Sequence, residues 1–199
     1  NVADTYFVGQ LGADPLAAMS FSFPVVIISG GLAMGLGIGT STYVSQALGR
    51  QDRLEAARIA TLAHLLAFTV VLLLAAVGLL TIRRLFTAMG ATPEVLPLIR
   101  TYMTIWFFGL PFVILPMVGI NVLQATGDTK TPGTVLTFSV LLNIGLDPLL
   151  IFGIGPFPEM GIAGAALATV ISRASGFLIV GTVVLRRERL FTARLAGIG

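Results

Sequence analysis

Long apolar runs broken by short polar clusters dominate the chain, and the run lengths set its architecture. A membrane-crossing helix needs about 20 mainly apolar residues. Five runs meet that length: residues 15–48, 59–82, 97–125, 132–153 and 160–185. Residues 1–8 form a sixth, shorter run. The chain opens Asn1-Val2-Ala3-Asp4, with no initiator methionine, basic segment or cleavage motif, so 1–8 is expected to be the outer end of a truncated helix. Asp14-Pro15, Thr92-Pro93 and Thr131-Pro132 each put a capping oxygen before a proline suited to a first helical turn, and they are expected to start three of the spans.

Composition agrees with this pattern. Hydrophobic residues make up 56% of the 199 and charged residues only 11%. A soluble domain carries about 25% charged residues. The predicted class is all-α, a polytopic membrane helical bundle. The net charge of +3 comes from loop arginines, which points to contact with membrane lipid and gives no reason to expect nucleic acid. There is no cysteine, which excludes disulfides and thiolate metal sites.

The basic residues also predict an orientation. Arg50, Arg53, Arg58, Lys130, Arg186, Arg187, Arg189 and Arg194 follow the second, fourth and sixth spans. Only Arg83, Arg84 and Arg100 follow the first, third and fifth. Cytoplasmic loops carry the excess of Lys and Arg, so the connections after spans 2, 4 and 6 are expected in the cytoplasm. QALG at 46–49 and QATG at 124–127 end two spans on that side, a faint internal echo.

Within the spans, Gly31, Gly35 and Gly39 recur at i, i+4 and i+8 and are expected to let another helix approach closely. His64 reads either as a residue near the interface or as part of a proton relay. Arg173 falls near mid-helix; it meets a carboxylate, lines a watery cavity, or marks a shifted register. Most acids lie in loops, but Asp4 and Asp147 do not. An aspartate at a helix centre costs roughly 2.5–3.5 kcal/mol on insertion scales, and two in separate helices suggest a shared polar site.

Asn143 and Asp147 are four residues apart and share one helix face. Pro148 donates no backbone N–H to the carbonyl of Ile144 and is expected to bend that turn open. The resulting hard oxygens suit a proton or a small cation such as Na⁺. The plainer reading is a polar pair that supports a kink. Thr169 and Tyr102 are further candidate oxygens, although helix threonines often bond their own backbone and tyrosines often mark an interface.

Several stretches together resemble the multidrug and toxic compound extrusion (MATE) family. They are DTYFVGQLGADPLAAMSFSFP at 4–24, YVSQALGRQD ending the second span, GINVLQATGDTKTP at 119–132, LNIGLDPLLIFG, and GIAGAALATVISR. The resemblance implies the six-helix N-terminal lobe of a twelve-helix secondary antiporter, spanning residues 1–185. Residues 186–199 would then be a basic cytoplasmic linker to a missing C-terminal lobe of the same protein. It implies export of amphipathic or cationic drugs and xenobiotics across the plasma membrane in exchange for H⁺ or Na⁺, without a cofactor. It also matches Asp4, Asn143, Asp147 and Thr169 to the ion-responsive site, and Tyr102 and Asn121 to the surrounding network. A lipid-linked oligosaccharide flippase of the same superfamily and a non-transporting membrane scaffold are the alternatives. With no HExxH pair, no cysteine and no placed Ser/His dyad, an enzyme is not expected.

Overall fold

The helices follow the apolar stretches that predict them to within two residues at either end, with one exception. A computed structural model describes residues 2–184 and contains α1 (Val2–Gly9), α2 (Ala13–Gly49), α3 (Arg53–Ala88), α4 (Leu96–Ala125), α5 (Lys130–Phe152) and α6 (Ile162–Val183). Five of these, α2 to α6, are long and apolar enough to cross a membrane. The largest departure is α3, expected at 59–82, which extends to take in Arg53, Arg58, Arg83 and Arg84. Hydropathy marks where a helix leaves the bilayer, and good helix formers such as Leu, Ala and Arg carry it further. The proposed linker at 186–199 and its four arginines lie outside the described residues.

The helix starts depart from the expected caps. Gly12 precedes α2, and Asp14 sits inside its first turn. Before α4, the Thr92 carbonyl accepts from the Leu96 N–H while its side chain plays no capping part; Pro97 occupies the first turn. At α5 the cap is Asp128, not Thr131. One Asp128 oxygen accepts from the Lys130 and Thr131 N–H groups at 3.1 and 3.0 Å, and the other takes the Thr131 hydroxyl at 2.6 Å. Asp52 likewise caps α3 through the Glu55 N–H at 2.9 Å. A short carboxylate reaches the exposed amides of a first turn well, which is why aspartate does this where threonine was expected. Nor does α5 break at Pro148: it stays helical to Phe152 and ends at Gly153, whose φ of 69° suits a residue without Cβ.

Successive helices run antiparallel. One end of the bundle gathers the end of α1 with the starts of α2, α4 and α6 and the ends of α3 and α5; this is the α1–α2 face. The opposite end is the α2–α3 face. Helix α4 is the axis: 56% of its spanning window is buried, against 22% for α2 and α3. Ile99, Met103, Phe107, Leu110, Ile114 and Val118 run up its buried side, as expected of a helix apolar all round. The outer helices leave residues such as Ile27 and Leu80 exposed, a surface suited to lipid.

Small residues set how closely the helices approach, though not the stripe the sequence suggests. Gly31, Gly35 and Gly39 have open space where a Cβ would stand. That face of α2 meets no described neighbour, so spacing alone misplaced the contact. The close approach on α2 is at Gly37, which lies against the Asn121 side chain. On α6, Gly164 lies against the backbone at Leu150 and Ile151, and Gly176 against the Ser139 hydroxyl, so α5 and α6 lie almost backbone to backbone. At Gly164 the opposing atoms are backbone and cannot swing aside. Gly164→Leu is therefore expected to destabilise the purified protein by about 1–3 kcal/mol or more, read as a lowered unfolding temperature in detergent. An unchanged transition would mean that this approach is not as close as described.

Candidate functional site

Four polar residues from four helices lie at nearly the same depth. Asp4 precedes the end of α1 by five residues, and Asp147 precedes the end of α5 by five. Tyr102 follows the start of α4 by six, and Thr169 follows the start of α6 by seven. At 1.5 Å per residue this puts them roughly 8–11 Å beneath the α1–α2 face. The close α5–α6 approach turns Ser139, Asn143 and Asp147, spaced by four, toward the bundle interior, where all three are buried.

The side chains meet as well as align. Asn143 Nδ2 donates to Asp147 Oδ1 at 3.3 Å. Thr169 Oγ1 donates to Asp4 Oδ2 at 3.2 Å, tying α6 to α1. Asp147 is 0% exposed, and Asp4 and Asn143 are each 3% exposed. The two carboxyl groups face each other within hydrogen-bonding reach. Ionised carboxylates only accept hydrogen bonds, and Asp147 Oδ2 finds no donor among the described residues. A shared proton or a small cation between the acids would satisfy both. The surrounding oxygens of Asn143 and Thr169 are hard donors of the kind such an ion prefers. Among the described residues no cluster of three His, Cys, Asp or Glu could hold a metal in the usual manner.

A cavity of about 260 Å³ opens beside this layer, with Asp4, Tyr102, Trp106, Thr169 and Arg173 among its lining residues. Asp147 is not among the residues that line it. Tyr102, 5% exposed, lies within electrostatic range of both acids. Asn121 does not join them. It lies 19 residues along α4 from Tyr102, roughly 28 Å along the helix axis. Its amide donates to the Met117 carbonyl at 2.8 Å and packs on Gly37. The expected network role for Asn121 is therefore replaced by a role in α2–α4 packing.

His64 also lies elsewhere. Its Nδ1 is 2.8 Å from the Ala60 carbonyl of its own helix. It borders a separate, largely apolar cavity of about 370 Å³ with Phe68, Leu115 and Phe177. Sequence reasoning missed three polar or aromatic positions. Ser139 is one turn from Asn143 on the stripe already recognised, and Trp106 is one turn from Tyr102. Ser172 is buried, and its hydroxyl finds no partner among the described residues. Extending each i, i+4 row by one step would have found the first two; nothing local marks Ser172.

Residues 1–149 match the MatE family. A Shewanella oneidensis protein named FAD transporter is 42% identical over 190 residues, which is 96% of this chain and 42% of that protein. A Bacillus subtilis protein named probable multidrug resistance protein YoeA is 36% identical, over 90% of this chain and 38% of its own length. A crystal structure of MATE in a bent conformation superposes on the whole chain with a TM-score of 0.91 at 30% identity, using 44% of that structure. The chain thus spans less than half the length of the relatives it matches.

The Thr169–Asp4 contact can be tested directly. In a double-mutant cycle of Asp4→Ala and Thr169→Val, the coupling energy is expected at about 0.6–1.7 kcal/mol, the range for hydrogen bonds between membrane helices. Strictly additive effects on thermal unfolding would mean the two side chains do not interact.

Proposed function

Because the chain belongs to the MatE family, we propose that its six helices form the N-terminal lobe of a secondary antiporter that exports small organic solutes in exchange for H⁺ or Na⁺. The observation carrying this reading is the meeting of two buried carboxylates from separate helices, Asp4 and Asp147, with Thr169 and Asn143 as their hydrogen-bond donors. A lone buried acid has many structural uses. Two facing acids repel each other unless a proton or cation joins them.

The mechanism follows from that repulsion. Binding of the ion removes the repulsion between α1 and α5 and favours the arrangement in which those helices stay together. Loss of the ion favours one in which they separate. An ion that binds two conformations unequally shifts their populations, and a solute that prefers the other conformation is driven by the ion gradient. The cavity bordering Asp4 and Thr169 is where solute and ion site come within reach of each other. The α2–α3 face, with Arg50, Arg53, Arg58 and Lys130, is proposed to lie in the cytoplasm.

The relatives' names divide over the solute. YoeA is named for multidrug resistance, which favours amphipathic or cationic drugs. The 42% identical relative is named for FAD, which favours a flavin dinucleotide as a second reading. Transport of FAD and of a cationic dye into proteoliposomes separates the two.

In the intact gene product, Asp147→Asn is expected to abolish ion-driven efflux while the protein still inserts. Asp4→Asn should reduce efflux at least about tenfold, a loss corresponding to about 1.4 kcal/mol. Efflux measured under imposed H⁺ or Na⁺ gradients also identifies the coupling ion. Wild-type rates in both variants would end this reading.

A further inference from the structure

Arg173 is a cation in the middle of a span. It follows the start of α6 by eleven residues and precedes its end by ten. Roughly 15 Å of helix separates it from either end, farther than an extended arginine side chain reaches, so it cannot place its charge among headgroups by snorkelling. The other lysines and arginines of the described helices all stand near a helix end.

Its environment inside the bundle is specific. Arg173 lines the same cavity as Asp4 and Thr169, one helical turn deeper than Thr169. No carboxylate or carbonyl among the described residues hydrogen-bonds or ion-pairs with its guanidinium. Trp106 follows the start of α4 by ten residues, so it stands at nearly the depth of Arg173, with Tyr102 one turn above it. Phe23 of α2 completes an aromatic wall. When a proton or cation satisfies the Asp4–Asp147 pair, the guanidinium is the formal charge facing this space.

A planar guanidinium offers a fork of donors that fits a carboxylate or phosphate in bidentate fashion. Phe23, ten residues into α2 and 38% exposed, offers an aromatic face to a flat ring at that level, backed by the buried Trp106. We propose that Arg173 is the anion-binding residue of this cavity, and that the lobe receives an aromatic solute carrying a carboxylate or phosphate group. The proposal rests on reading the chain as a transporter lobe and specifies its solute class.

Equilibrium binding of matched probes to the intact gene product in detergent tests the assignment. Riboflavin and riboflavin 5′-phosphate differ only in one anionic group, and ethidium serves as a cationic aromatic control. The phosphate-bearing probe is expected to bind at least about tenfold more tightly than riboflavin, the increment of a charge-assisted contact. In Arg173→Gln that preference should shrink to about twofold or less, with riboflavin and ethidium binding unchanged. Arg173→Lys, which keeps the charge and loses the fork, should fall between.

Three results would overturn the assignment: no preference in the wild type, a preference that survives Arg173→Gln, or an equal loss of all three probes, which would make Arg173 a packing residue. Ion dependence of transport, measured in the same variants, separates the two proposals. If Arg173→Gln alters only ion dependence, the guanidinium serves the acid pair and the anion assignment fails. If Asp147→Asn keeps ion-dependent transport while Arg173→Gln abolishes the phosphate preference, the coupling reading fails and the anion assignment stands.

Discussion

A membrane interior offers no water to a buried charge, and the arrangement around Asp4 and Asp147 answers to that constraint. Each acid must find its donors on other side chains of the bundle. Asn143 comes from the same helix as Asp147, one turn away, and needs only α-helical geometry. Thr169 comes from 165 positions beyond Asp4 and needs the whole lobe to close. The first contact survives any rearrangement of the helices; the second exists only while α1, α5 and α6 stay together. A site divided in this way can sense whether the helices are gathered or apart, which is the property the proposed coupling ion requires.

The rest of the lobe makes that gathering possible. Helix α4 fills the centre with large apolar side chains and contributes the buried Tyr102 hydroxyl to the polar layer. Helix α6 presents glycine at 164 to the α5 backbone and at 176 to the Ser139 side chain, so that α5 lies close against it and its polar row points inward. Close packing of small residues is the main source of helix association where lipid is as apolar as the side chains. The packing and the polar layer thus depend on one another.

The cavity adds a second charge layer. Acids lie near the α1–α2 face, and an arginine lies one turn deeper beside Trp106. The state of the acid pair therefore sets the field felt by anything near the guanidinium.

Run lengths of apolar residues were enough to place six helices to within a few residues at most boundaries, because the bilayer's thickness imposes one length scale on every span. Spacing was enough to pair Asn143 with Asp147, because helical geometry is local and its period does not depend on context. Chemistry alone singled out Asp4 and Asp147 as too costly to be incidental. The sequence could not say which glycine row meets a neighbour, and it chose Gly31, Gly35 and Gly39 over Gly37. Nor could it separate Asn121 from the site, or direct Arg173 into the cavity. Each of those depends on the rotation of one helix against another, which is set by the summed packing of many small contacts. No periodicity within a single helix encodes that rotation. The tertiary structure therefore decided which polar residues meet, after the sequence had established that some of them must.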